Sequence, residues 1–219
     1  TDVSECPNLP FLDLSLATLS ISNLGGLDPD GGPPLLYFTN IQSVSSYDII
    51  DLEVTLLSEY SPGNISRNGI TGPFGRISVA PNSATTLKFR FVNHTTGDDY
   101  FMEDFLFSVF DVDGKASVEL RESVTIELGG AGLLSFTFVD EGGGKVSADD
   151  SKISFTGAAR EVEVPLGVSN LNIEQQHHTL TIAISNTSAI NVTLISASKG
   201  DTTTEAREFL FAGTSQLVD

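Results

Sequence analysis

Between Phe101 and Phe110 the chain reads Phe-Met-Glu-Asp-Phe-Leu-Phe-Ser-Val-Phe. In an extended chain, successive side chains point to opposite faces. Phe101, Phe105, Phe107 and Val109 then share one face, and Met102, Leu106 and Phe110 the other. Both faces are apolar, so this segment is expected to be a central strand covered on both sides. The rest of the chain must supply its neighbours in the sheet and both covers.

The remaining sequence is of the right kind. Leu87-Lys-Phe89-Arg-Phe91 alternates apolar and polar residues, as do Val124-Thr-Ile126-Glu-Leu128, Leu134-Ser-Phe136-Thr-Phe138, Leu180-Thr-Ile182-Ala-Ile184 and Val192-Thr-Leu194. Further strand patterns start at Leu14, Leu35, Ile49 and Ile153, and Arg207 to Ala212 reads as the closing strand. About ten to twelve strands result. Gly25-Gly26, Pro62-Gly63, Asn68-Gly69, Gly129-Gly130 and Gly142-Gly143-Gly144 punctuate them with turn chemistry. No substantial helix is expected, because no long segment keeps a 3.6-residue period. The fold class is all-β, an antiparallel β-sandwich of jelly-roll or immunoglobulin-like type. An antibody-type domain is disfavoured, since Trp is absent and there is one Cys. Residues 1–219 read as a single domain with Gly142 to Gly144 as a hairpin tip. A subdivision near 142–144 would leave only a thin C-terminal unit.

Charge narrows the function. Lys plus Arg number 11 and Asp plus Glu 29, a net charge of −18. Nucleic acid is not expected as a partner, because phosphate contacts need clustered Lys and Arg. An anionic membrane is unlikely for the same reason. No apolar run approaches a membrane span, so no membrane insertion is expected. The single Cys excludes an internal disulfide and a Cys-based zinc site, and leaves Cys6 available to pair with another chain. The chain starts at Thr1 without Met, which reads most simply as a mature secreted chain whose leader has been removed, although a piece excised from a longer protein would look the same. Asn64, Asn93, Asn186 and Asn191 each open an Asn-x-Ser/Thr triplet, so they are the expected glycosylation sites of an extracellular protein.

Acid is concentrated between residues 98 and 127, which hold nine of the 29 acids. Asp111-Val-Asp113-Gly114 follows directly on the apolar strand, with Gly114 to let the backbone turn. Glu122 lies on the next strand. Calcium takes six to eight hard oxygen ligands, so Asp111, Asp113 and Glu122 are its expected ligands. Lys115 and Ala116 break the pattern of an EF-hand loop, and the flanks are strands. Of Glu103 and Asp104, one sits within the apolar strand. A buried carboxylate must be paired, protonated or metal-bound, which adds Asp104 to the candidate ligands and makes Arg121 an alternative partner.

Enzymatic readings lack their residues. His177 and His178 are adjacent and point to opposite faces, and no Gly-x-Ser-x-Gly elbow is present. A sandwich glycoside hydrolase would have to draw on Glu103, Asp104, Glu119 and Glu122. A carbohydrate-binding module remains an alternative, with Tyr60 as its exposed platform beside Ser61-Pro-Gly-Asn64.

Phe105-Leu-Phe-Ser-Val-Phe-Asp-Val-Asp-Gly114, followed by Glu122-Ser-Val124 and closed by Arg207-Glu-Phe-Leu-Phe-Ala-Gly213, resembles a pattern of secreted microbial and algal β-rich modules. The resemblance implies a surface or matrix protein able to hold calcium, and names no ligand. The expectation is therefore a secreted, non-enzymatic, calcium-stabilised sandwich acting in adhesion or assembly. Its partners would be other extracellular proteins or glycans, or further copies of itself.

Overall fold

Alternation along each segment becomes two packed sheets in the computed structural model, which describes residues 12–28, 31–43, 49–115, 120–139, 143–158, 160–168, 170–197 and 206–213. Among them are sixteen strands, more than expected because several are only two to four residues long. The first seven are β1 (Leu12–Asp13), β2 (Thr18–Ser22), β3 (Leu35–Ser43), β4 (Ile49–Leu56), β5 (Gly69–Thr71), β6 (Phe74–Val79) and β7 (Ser83–Asn93). Next come β8 (Met102–Phe110), β9 (Gly114–Lys115), β10 (Leu120–Glu127), β11 (Gly132–Thr137), β12 (Lys145–Ala148) and β13 (Lys152–Thr156). The last three are β14 (Leu180–Thr187), β15 (Ala189–Ala197) and β16 (Arg207–Ala212). The one α-helix among the described residues, α1, spans only Ile173–Gln176.

The large sheet has ten strands in the order β1-β3-β4-β7-β15-β10-β13-β12, with β2 beside β3 and β9 beside β10. The small sheet has six, in the order β11-β14-β8-β16-β6-β5. All their pairings are antiparallel. Strands on either side of residues 142–144 interleave in both sheets: β15 lies between β7 and β10, and β16 between β6 and β8. The expected hairpin tip at Gly142 to Gly144 is instead part of the link from β11 in the small sheet to β12 in the large one. Gly142 itself lies outside the described residues.

As expected, β8 is central, flanked by β14 and β16. Phe105, Phe107 and Val109 join the main core between the sheets, while Phe110 packs in a second cluster with Phe74, Leu171 and Leu210. Phe101 is the exception: it precedes the strand and is 63% exposed. Phenylalanines from the two sheets interlock edge to face. Phe89 of β7 meets Phe211 of β16 at 5.0 Å and Phe107 at 5.5 Å, and Phe91 meets Phe105 at 5.0 Å. Such perpendicular contacts set the positive ring edge against the negative face.

Gly75 of β6 gives this cluster its room. A Cβ there would lie 2.1 Å from the Phe211 ring. Gly75→Ala is therefore expected to cost about 1–3 kcal/mol by overpacking. Thermal unfolding checks this, and an unchanged midpoint would show that the ring has slack.

Candidate functional site

At the end of β8 the chain crosses from the small sheet to the large one. Asp111 takes φ +60°, the left-handed region that Asp tolerates better than most residues. Val112 is fully buried, and Gly114 begins β9. The crossing is tied to β10 by two bonds: the Glu122 N–H donates to the Asp113 carbonyl at 2.8 Å, and the Asp113 N–H donates to Glu122 Oε2 at 3.1 Å. Gly157 closes over it, donating its N–H to the Glu122 carbonyl at 3.0 Å. A Cβ on Gly157 would lie 1.9 Å from the Val112 carbonyl oxygen, so only glycine fits.

Packing buries the Asp113 and Glu122 side chains, which are 3% and 1% exposed. Their cation comes from the small sheet. β16 pairs with β8 through Leu210–Phe110 and Phe211–Val109. Continuing that register brings Arg207 level with Asp113. Its Nη2 donates to Asp113 Oδ1 and its Nε to Glu122 Oε1, and the Arg207 side chain is itself 12% exposed. The Val162 N–H donates to Asp113 Oδ2 at 3.0 Å, and Glu161 lies 3.8 Å from Arg207 Nη1.

Burial dominates the electrostatics. It pushes Glu122 up to about 7, against the pull of Arg207. Burial also raises Asp113, opposed by the Val162 N–H and Arg207. Asp111 is pushed up to about 8, first by burial and then by the neighbouring Asp113 and Glu122 charges. Burial works against the charge on Arg207, but Glu122 and Asp113 outweigh it and raise its pKa. These groups line a cleft of about 530 Å³ together with Arg67, Glu208, Glu161 and Val164. Arg67 and Arg76 both pair with Glu208.

The structure thus brings Asp111, Asp113 and Glu122 together but not Asp104. That residue faces Ser185 across β8 and β14, roughly 20 Å along the strand. Asp104 is half-buried and Glu103 exposed, so neither is the buried carboxylate that the apolar strand suggested. Arg121 is not the partner of the acids; its Nη1 donates to the Gly157 carbonyl at 3.2 Å. Arg207 turns its N–H donors to Asp113 Oδ1 and Glu122 Oε1, on two of the three carboxylates expected to hold calcium. No group of three His, Cys, Asp or Glu side chains among the described residues is arranged to hold a metal ion. Glu119 lies outside the described residues. Arg207 was missed because it is distant in sequence. The available signal was a lone cation heading the apolar run Phe-Leu-Phe-Ala in a chain with 11 basic residues.

Tyr60 is packed rather than presented. Its ring lies against the main core, and its hydroxyl donates to the Ser78 carbonyl at 2.7 Å and bonds to Asn68. Asn64 and Asn186 are exposed, while Asn93 and Asn191 are half-buried. A second polar cluster was not foreseen. Buried Asp51 accepts from Tyr37 Oη at 3.0 Å and from the Asn40 N–H at 3.0 Å, and bonds to His94 Nδ1 at 2.9 Å.

No protein-family model matches this chain, and no curated protein matches it. Among solved structures it is similar to the adhesin domain of PrgB from Enterococcus faecalis: 10% identity, 83% of this chain, 64% of that chain, TM-score 0.49. It is also similar to the N-terminal domain of the Streptococcus gordonii adhesin Sgo0707: 11% identity, 94% of this chain, 62% of that chain, TM-score 0.50. The chain spans less than two thirds of either matched chain. At these identities the likeness is one of fold, a β-sandwich of two antiparallel sheets.

Two variants probe the crossing. Arg207→Met leaves two buried carboxylates without their cation and is expected to cost about 3–5 kcal/mol, on the order of 10 °C in unfolding midpoint. A loss below about 1 kcal/mol would show the pair to be dispensable. Asp111→Asn keeps the left-handed backbone and removes the titration. An Asp111 pKa raised from its ordinary value to about 8 means that the folded chain holds a proton the unfolded chain has released. The associated stability is full below about pH 4 and is lost as pH rises to about 8. The midpoint of Asp111→Asn should therefore gain on the parent between pH 5 and pH 8.5. Parallel profiles would refute the shift.

Proposed function

We propose that this chain is a non-enzymatic adhesive domain of a cell-surface or extracellular protein, and that the charged cleft at the sheet crossing is its contact surface. The observation that carries this reading is the fold likeness to the Sgo0707 N-terminal domain, which extends over 94% of the chain. The named function of that protein supports adhesion here. The net charge of −18 supports an extracellular setting, and directs the surface toward protein or glycan partners rather than nucleic acid.

In this reading the crossing is held by the Arg207 guanidinium and does not depend on calcium. The two carboxylates that an ion would bridge already accept charge-assisted bonds from one side chain. The exposed cleft wall at Glu161 then serves recognition, and the paired acids serve to hold the cleft in shape. Asp113 and Glu122 are bonded to Arg207, and Glu208 pairs with Arg67 and Arg76.

Beads coated with the chain, passed under flow over collagen, fibronectin and a glycan array, test both parts. Retention above bare beads on at least one surface is expected. It should be at least tenfold weaker for Glu161→Lys on the exposed cleft wall, and equal in calcium and in chelator. Retention no better than bare beads on every surface would sink the adhesive reading. An unfolding midpoint several degrees higher in calcium would restore the ion.

A further inference from the structure

With 29 acids and 11 bases, every cation of this chain could have a carboxylate partner. Arg67, Arg76, Arg90, Arg160 and Arg207 each have one. Lys88, Arg121, Lys145 and Lys152 form no ion pair with a described residue, and Arg121 donates only to the Gly157 carbonyl. These four are scattered in sequence, but all stand on the outer face of the large sheet. Leu87 and Phe89 point into the core, so Lys88 between them points out. Glu122 and Val124 of β10 are buried, so Arg121 points out, and Ile153 and Phe155 of β13 turn Lys152 outward in the same way. Lys145 lies opposite Thr156, the outward neighbour of Phe155, and shares its face.

Register orders this face into rows. Lys88, Asn191, Glu127 and Lys152 form one row across β7, β15, β10 and β13. Beside it runs a row of hydroxyls, Thr86, Thr193, Thr125, Ser154 and, on β12, Ser147. Thr86 bonds to Thr193 and Thr125 to Ser154, both at 2.9 Å. A hydroxyl has one proton and two lone pairs, so each pair keeps a donor and acceptors for an outside molecule. Strands lie about 4.8 Å apart, so the row repeats at close to the length of one sugar ring. Glu127 is the one acid among the outward residues of these five strands, and Asp149 and Asp150 mark the border in the β12–β13 turn. Ile195 is their one large apolar residue, and no aromatic ring is among them.

We propose that this face binds an anionic polysaccharide, laid across the strands with its hydroxyls on the Thr/Ser row and its carboxylate or sulfate groups on Lys88, Arg121, Lys145 and Lys152. Charge complementarity sets the sign of the partner: the cations without acids of their own are gathered on one surface of a chain of net charge −18. A protein partner would need an apolar centre, which Ile195 alone does not supply. Single-stranded nucleic acid would need rings on which its bases stack, and this face has none. A polymer of hydroxyls and spaced anions needs neither. At physiological salt the Debye length is about 8 Å, so acids elsewhere on the molecule are screened from the polymer while the cations it touches are not. Asn191 stands within the charged row, so binding requires that residue to be free of glycan. None of the four cations lines the cleft, and the inference does not rest on the adhesive reading.

Surface plasmon resonance of the 219-residue chain, made in a host that adds no glycans, over polygalacturonate, dextran sulfate and neutral dextran at about 0.15 and 1 M NaCl tests it. Saturable binding to at least one polyanion and none to dextran is expected, at least tenfold weaker at the higher salt. Which polyanion is held tells carboxylate from sulfate. Lys88→Gln and Lys152→Gln should each weaken binding several-fold. Leu166→Glu changes the net charge by the same amount at a leucine 96% exposed outside the sheets, and should leave binding unchanged. Thr125→Val with Thr193→Val removes hydroxyls while keeping β-branched side chains on the strands, and should also weaken binding several-fold. No binding to either polyanion at the lower salt would overturn the proposal. So would equal binding to poly-glutamate or single-stranded DNA, indifference to the Lys or the Thr variants, equal weakening by Leu166→Glu, or a glycan on Asn191 of the natural protein.

Discussion

Taking two carboxylates out of water costs several kcal/mol each unless a cation and good hydrogen bonds go with them. The chain incurs that cost at the crossing from the small sheet to the large one. Asp113 and Glu122 are both buried there, and Arg207 is the residue that makes the burial tolerable. The same guanidinium ties β16, in one sheet, to β10, in the other. The ion pair thus acts as a rivet between the two sheets. It also shapes the cleft, because Asp111 is left beside a cation already engaged by two other acids.

Much of the architecture is legible in the residues. The alternation at Leu87–Phe91 places Leu87, Phe89 and Phe91 in the core and leaves Lys88 and Arg90 half-exposed. The two-faced segment around Phe105 is a central strand, and the run from Arg207 to Ala212 is a strand with the expected bounds. These features are local, because strand side chains repeat every second residue. What was not legible is pairing at long range. Arg207 is 94 residues from Asp113 and 85 from Glu122, and only the register of β16 on β8 shows that they meet. The acid excess was real, but a count of acids cannot say whether their counter-charge is an ion or a side chain. Tyr60 was misread for a related reason: its loop composition suggested exposure, while the ring packs on the core and the hydroxyl bonds to Ser78.

The strand order explains how one surface can be both charged and rigid. The cleft is bounded by the end of β8, the start of β16 and the segment around Glu161 and Val162, and the first two belong to the middle of the small sheet. Arg207 on β16 and Glu122 on β10 are thereby fixed to strands with neighbours on both sides, and Asp111 and Asp113 follow directly on β8.

The position of β16 in the small sheet also bears on how the molecule is made. β16 follows every other described strand in sequence, yet it fills the place between β8 and β6. Until residues 207–212 have emerged during synthesis, the small sheet has a gap at its centre, Phe89 lacks the Phe211 ring, and the acids at the crossing have no guanidinium. Assembly dominated by such distant contacts is slow. A ribosome-bound chain lacking only this strand would expose the apolar flanks of β8 and β6, the kind of surface that chaperones recognise.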